Sequence, residues 1–180
     1  MMTDRGRPSS VAGGLVRHIP VLLSEVLTAL KPKSGEIIID GTFGAGGYSK
    51  AILSAADCRV LAIDRDPEAL ASSEELASDF PGRFDAVLGR YSEMESLAAA
   101  NGIDTADGVV LDIGVSSMQL DQPKRGFSFA KDGPLDMRMG AEGLSAADIV
   151  NNFDEAQIAE ILFVFGEERR SRAIARALVK

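Results

Sequence analysis

Apolar positions along this chain keep two rhythms that take turns. Short, mainly apolar runs fall at residues 36–40, 59–63, 83–88 and 108–111, ending at Asp40, Asp64, Gly89 and Asp112 respectively. Runs of this length, the first holding Ile37, Ile38 and Ile39 in succession, suit strands buried on both faces. Between them apolar residues recur at helical spacing, over residues 18–30, 48–56, 66–79 and 93–100. Lys31-Pro32 ends the first of these helices, and Pro67 sits where the first position of the third would be. Strands alternating with helices in this way predict an α/β fold, a parallel sheet with right-handed crossovers.

After Asp112 the rhythm stops. Residues 114–143 are rich in Gly, Pro, Ser and charge and carry no sustained period. A loop of that length inside a domain is usually functional or disordered. Its Phe, Leu and Met residues favour an ordered, functional one. Helical spacing resumes at Ser145. Ser145 with Asp148, and Asp154 with Gln157, have capping-box spacing. Ile158, Ile161, Leu162 and Phe165 form one apolar stripe, closed by Gly166, and Ala173, Ile174, Ala177 and Leu178 form the next. The chain stops in mid-helix at Lys180, so it reads as the front portion of a longer protein. The expected divisions are a disordered tail over 1–17, the first part of a core over 18–120, a substrate-side loop over 121–144 and a helical insertion from 145.

The chemistry concentrates after the first strand, in DGTFGAGGYSK. Strand, glycine loop and helix N-terminus bring backbone N–H groups against a small ligand. A phosphate-cradling P-loop needs Gly-Lys-Ser/Thr at the helix start, and no lysine stands there. A dinucleotide fingerprint needs a third glycine where Ser49 stands, and Asp40 at the loop's mouth would repel a pyrophosphate. A cationic ligand such as S-adenosylmethionine, with its sulfonium and ammonium, fits an acid there better. Asp64 lies 20 positions after Gly44, where an acid accepts from ribose hydroxyls. Tyr91 is placed to stack on an adenine, and Asp112 lies near the transferred methyl group. The plainer alternative is that these acids only cap helices and form turns.

Composition narrows the setting. The formal charge of −8 argues against broad affinity for polyanions. Yet residues 169–180 carry five basic side chains and no acid, so a nucleic-acid partner would be met locally. One cysteine, Cys58, and one histidine, His18, leave no disulfide within the chain and no cysteine or histidine metal cluster, so no metal is expected. His18 reads as a packing or capping residue. No apolar run approaches a membrane span, and residues 1–17 lack the apolar segment of a signal peptide. A cytoplasmic protein is expected.

HIPVLLSEVL, IDGTFGAGGYS, LAIDRDPEA, LDIGVSSMQLD, RGFSF, DGPLDMRM and GEERRSRAIARALV, in that order, resemble the bacterial 16S ribosomal RNA cytosine-N4 methyltransferase family. The resemblance covers nearly the whole chain from His18 onward. It implies a Rossmann-like methyltransferase core interrupted by a helical insertion that helps recognise RNA. It also implies S-adenosylmethionine as donor, and as substrate one cytosine in the decoding region of 16S rRNA in the small ribosomal subunit. Carried over by position, the donor-binding residues would be Gly46, Gly47, Tyr48, Asp64, Tyr91, Asp112 and Gln119. Members commonly have histidine where Tyr48 stands and phenylalanine where Tyr91 stands. They also continue past the insertion, with a motif containing SFHSLEDR that is absent here, so this chain alone is expected to be inactive.

Methylating an exocyclic amine requires an acceptor for its hydrogens, and Asp112 is the catalytic candidate, with Ser116 and Ser117 weaker ones. Lys124, Arg125, Lys131 and Arg138, interleaved with Phe127, Phe129 and Met137, suit an RNA backbone and a stacked base. With Asp132 and Asp136 among them, an internal salt-bridge loop is the alternative. Two other functions stay open: a nicotinamide-dependent oxidoreductase, and a non-catalytic RNA-binding module of the same fold.

Overall fold

The computed structural model describes Pro20 and residues 22–180; His18 and the expected tail over 1–17 lie outside the described residues. Four strands, β1 (Ile37–Asp40), β2 (Arg59–Asp64), β3 (Phe84–Leu88) and β4 (Gly108–Val110), pair in parallel in the order β3-β2-β1-β4. Ile38 is registered with Val60 on one side and Gly108 on the other. The chain runs outward from β1 to β3, then returns to the far side of β1, so the order reverses between β1 and β4. Ligands of open α/β sheets bind outside the strand ends at such a reversal.

The apolar runs of β1 and β2 exist because both sheet faces are covered there, whereas the outer strands β3 and β4 leave Leu88 and Val109 exposed. Successive strand residues point to opposite faces. Ile38, Val60, Ala62 and Phe84 pack with Ile52 and Leu53 of α2 (Gly47–Ala55) and with Leu23, Leu27 and Leu30 of α1 (Leu23–Leu30). Ile39, Leu61 and Ile63 pack instead with Ile103 and with Leu97 and Ala98 of α5 (Met94–Ala100).

The helix expected over 66–79 is broken in two, α3 (Pro67–Leu70) and α4 (Ser73–Asp79). The break has a local cause. Ser72 and Ser73 donate their hydroxyls to the carbonyls of Ala69 and Leu70 at 2.7 and 2.6 Å, an alternative to continuing the helical ladder. The other core elements stand where the pattern put them, within a few residues.

Beyond β4 come α6 (Ser117–Asp121), a short 3-10 turn at Pro123–Arg125, and then no regular element until α7 (Ala146–Asn152), α8 (Glu155–Val164) and α9 (Ser171–Leu178). Both expected capping boxes form: Ser145 Oγ accepts from the Asp148 N–H at 3.1 Å, and Asp154 Oδ1 from the Gln157 N–H at 2.8 Å. The apolar stripes differ from expectation. Phe165 is exposed, and α9 buries Ser171 and Ala175 rather than Ile174 and Leu178. Small residues let α9 lie close against Ile158 and Ala159 of α8. Gly166 is not the left-handed residue either; Glu167 is, at φ 51°. Glycine is needed at 166 for room, because a Cβ there would stand 2.7 Å from the Leu162 carbonyl oxygen.

Candidate functional site

The glycine loop between β1 and α2 is tied down from three directions. Gly41 donates its N–H to Val110 of β4 at 2.9 Å, and Phe43 donates to Ile63 of β2 at 3.1 Å. Asp64 reaches back to accept the Gly44 N–H on Oδ2 at 2.8 Å, while Oδ1 accepts the Asp66 N–H at 2.9 Å. Thr42 Oγ1 accepts the Asp112 N–H at 2.7 Å, which joins the loop to the segment after β4. Gly46 caps α2 in the left-handed region at φ 77°. A Cβ on Gly46 would lie 2.9 Å from the Phe43 ring. Gly46→Ala is therefore expected to destabilise the fold by about 2–4 kcal/mol, combining left-handed strain with overpacking. Urea unfolding measures it, and a change below about 0.5 kcal/mol would contradict this account.

Together these ties enclose a cavity of about 330 Å³ outside the ends of β1, β2 and β4. Its walls include Gly47, Tyr48, Asp64, Tyr91, Asp112 and Gln119, so six of the seven anticipated donor-binding residues converge on one space. Gly46, the seventh, is buried and shapes the loop as the cap of α2. Tyr48 is also buried. Its hydroxyl is pushed above the usual tyrosine range by that burial first, and by the charge of Asp112 second.

Asp40 does not stand at the mouth of the loop as expected. Strand parity turns it to the same face as Ile38, under α2, where it is 0% exposed. There it accepts the Ser49 hydroxyl at 2.7 Å and the Thr42 N–H at 3.2 Å. Burial raises its carboxyl to about 6, against the lowering effect of those two bonds. Ser49, the residue that spoils the dinucleotide fingerprint, is thus the partner of a buried acid. The acids that face the cavity are Asp64, Asp66 and Asp112, and the only basic side chain among its lining residues is Arg65.

The segment after β4 forms the remaining wall and is ordered by internal pairs. Lys124 binds Glu68 at 2.9 Å, Arg125 binds Asp66 at 2.8 Å, and Arg138 binds Asp136 at 2.7 Å. Lys131 donates to the Asp121 carbonyl at 2.7 Å. The Arg138 guanidinium holds the Asp136 carboxyl down at about 2, and Lys124 with Gln122 lowers that of Glu68. All four basic residues anticipated for RNA are thus engaged within the chain, but only Arg138 with Asp136 is a salt bridge inside the segment; Lys124 and Arg125 reach acids just after β2. Phe127 is half-buried and Phe129 stands fully in solvent. The glycines of RGFSF and DGPLDMRM serve close packing: a Cβ on Gly126 would run into the Pro134 carbonyl oxygen, and one on Gly133 into the Pro123 carbonyl oxygen.

Three cavity-forming residues escape a linear reading. Thr42 offers no pattern beyond its place in the loop. Asp66 reads as a helix cap, and does accept the Glu68 N–H at 3.1 Å, but its other oxygen holds Arg125, 59 positions away. Arg125 itself reads as an RNA contact or a member of a salt-bridge loop, with nothing to mark Asp66 as its partner, and its side chain is largely buried.

Residues 15–180 match the model of the MraW methylase family. The chain belongs to that family. Proteins named ribosomal RNA small subunit methyltransferase H are similar to it: that of Parvibaculum lavamentivorans is 59% identical over 99% of this chain and 51% of its own length. Those of Xanthobacter autotrophicus and Rhodospirillum rubrum are each 58% identical, over 100% and 92% of this chain and 52% and 51% of their own lengths. The chain spans about half the length of the curated relatives it matches. Within this MraW-family portion, no helix among the described residues is long and apolar enough to cross a membrane.

Proposed function

We propose that this chain carries the donor site of an enzyme that transfers a methyl group from S-adenosylmethionine to N4 of a cytosine in small-subunit ribosomal RNA. The observation that carries the reading is the cavity at the β1/β4 reversal, with loop N–H groups on one side and the carboxylates of Asp64 and Asp112 on its walls. That lining suits a cationic, ribose-bearing ligand, and it suits a pyrophosphate poorly. The names of the matched relatives support the RNA, and the motifs shared with the cytosine-N4 methyltransferases support the target atom.

S-adenosylmethionine, when bound, would supply an electrophilic methyl group. Asp64 would accept from the ribose hydroxyls on lone pairs left free by its two backbone N–H partners, and Tyr91 would cover the adenine. Gly47, Tyr48 and Gln119 complete the walls. Asp112 has the properties of the acceptor that cytosine's amine requires. Its backbone is pinned through Thr42, and its carboxylate accepts no hydrogen bond from a described residue. Accepting from the amine leaves the nitrogen lone pair directed at the methyl group, and holding both reactants together in line can contribute up to about 7–11 kcal/mol. Ser116 is already committed, since its hydroxyl caps α6 by accepting the Gln119 N–H at 3.2 Å. The target cytosine must be unstacked to reach such a site.

The RNA backbone would be met elsewhere than on residues 124–138. Arg169, Arg170 and Arg172 flank a shallow depression between α8 and α9 and form no ion pair with described residues. In this reading residues 145–180 begin a helical RNA-recognition insertion.

Calorimetry with S-adenosylmethionine and, separately, NAD tests the donor site. Binding of the first and silence from the second is expected; tight NAD binding alone would sink the proposal. For the substrate, 16S rRNA from cells lacking the gene should have lost N4-methylcytidine by nucleoside mass spectrometry.

A further inference from the structure

Arg125 lies behind the cavity wall rather than in it. Its Nη1 donates to Asp66 Oδ2 at 2.8 Å, and its Nη2 donates to the carbonyls of Arg138 and Met139 at 3.0 and 3.1 Å. Gln119 uses two of the same acceptors, with Nε2 at 3.0 Å from Asp66 Oδ2 and 3.2 Å from the Met139 carbonyl. Two donors thus share two acceptors in a closed ring. Three of its corners, Asp66, Gln119 and Met139, line the cavity. They come from distant stretches: the end of β2, α6 and the irregular segment. Arg125 supplies the one side chain that spans them without touching the cavity.

The segment depends on the same residue. The Arg125 carbonyl accepts the Met137 N–H at 3.0 Å, and Gly126 takes φ 75° so that the backbone of residues 134–137 can close on it. At 12% side-chain exposure, the guanidinium is shielded from water. Its planar fork, offering donors in parallel, is what reaches an acid and two carbonyls at once. An ammonium in its place would lose at least one corner.

We propose that Arg125 is a positioning residue for the donor cavity. It fixes the wall of Asp66, Gln119 and Met139 from behind, so that ordering of residues 123–140 and occupation of the cavity by an S-adenosyl ligand favour one another. This rests on the donor reading above, and coupling of this kind is reciprocal. A ligand that needs the wall in place orders the segment, and a substrate that orders the segment tightens the donor site.

The test is calorimetry of S-adenosylmethionine with the native chain, Arg125→Lys and Lys124→Met. It is paired with amide exchange over residues 123–140 and over β2, with and without ligand. Lys124 anchors the same turn to Glu68 and touches neither the ring nor the cavity. The native chain is expected to bind and to gain protection over 134–140 on binding. Arg125→Lys should bind about tenfold more weakly or worse and lose that ligand-dependent protection while β2 exchange is unchanged. Lys124→Met should stay within about twofold of native. Native-like affinity in Arg125→Lys would overturn the role, as would an equal loss in Lys124→Met. Loss of β2 protection in Arg125→Lys would overturn it too, marking a residue of the fold as a whole. Failure of the native chain itself to bind S-adenosylmethionine would instead reject the donor reading.

Discussion

Asp64→Ala is expected to weaken S-adenosylmethionine binding by about a hundredfold or more. The side chain serves two purposes at once. It is the proposed acceptor for the ribose, and its two oxygens already hold the Gly44 and Asp66 N–H groups. Hydrogen bonds to a charged group contribute about 1.5–3 kcal/mol each. Loss of the ribose acceptor together with a slackened loop thus reaches about 3 kcal/mol, which is the hundredfold. Asp64→Asn, which keeps one acceptor oxygen, should fall between. Titration calorimetry of both variants measures the effect, with thermal unfolding to confirm that β2 remains in place. Affinity within about twofold of native in Asp64→Ala would remove this residue from the site.

A second variant should gain stability while losing affinity. Asp40 is fully buried, with no cationic partner among the described residues and with Asp64 adding its own negative charge. Its folded-state value of about 6 lies above the ordinary 3.8, so the folded protein prefers the protonated form. The stability this group contributes is complete below about pH 4 and is lost as pH rises through about 6. At 1.36 kcal/mol per pKa unit, ionisation costs the fold about 3 kcal/mol at pH 8. Asp40→Asn cannot ionise, and its amide can still bond Ser49 and the Thr42 N–H. It should be about 2–3 kcal/mol more stable than native at pH 8 by urea unfolding, and the gap should close toward pH 4. Donor affinity should fall, because a buried negative charge beneath the loop attracts a cation in the cavity. Equal stabilities at pH 8 would show that burial of this carboxylate is compensated in a way the hydrogen bonds do not account for.

The two acids show how far a linear reading reaches. Asp64 was legible because its signal is short-range: a carboxylate at a strand end, 20 positions after a glycine loop, has one geometry in a parallel sheet. Asp40 was half legible. Its place at the end of β1 was plain, while its direction, set by parity with Ile38, is toward α2 and away from the cavity. Gly47, Tyr48, Tyr91 and Asp112 came together because each lies just past a strand, and strand ends in this order meet at one edge. Arg125 was not legible in its actual role. Whether an arginine in an irregular stretch is solvated or buried depends on an acid 59 residues earlier.

From residues alone came the parallel sheet and the meeting of its strand ends at one edge, and from the resemblance of whole motifs came the family. The sheet and its edge rest on interactions whose range is a few residues: alternation along a strand, the backbone freedom of glycine, a cap at a helix start. Only the tertiary structure decided that Asp40 and Ser49 face each other beneath α2, that Lys124, Arg125, Lys131 and Arg138 find partners within the chain, and that α9 packs through Ser171 and Ala175. The reason is the same in all three cases. A charged or small side chain takes its role from the partner that folding brings to it, and those partners are set by the packing of whole elements against one another.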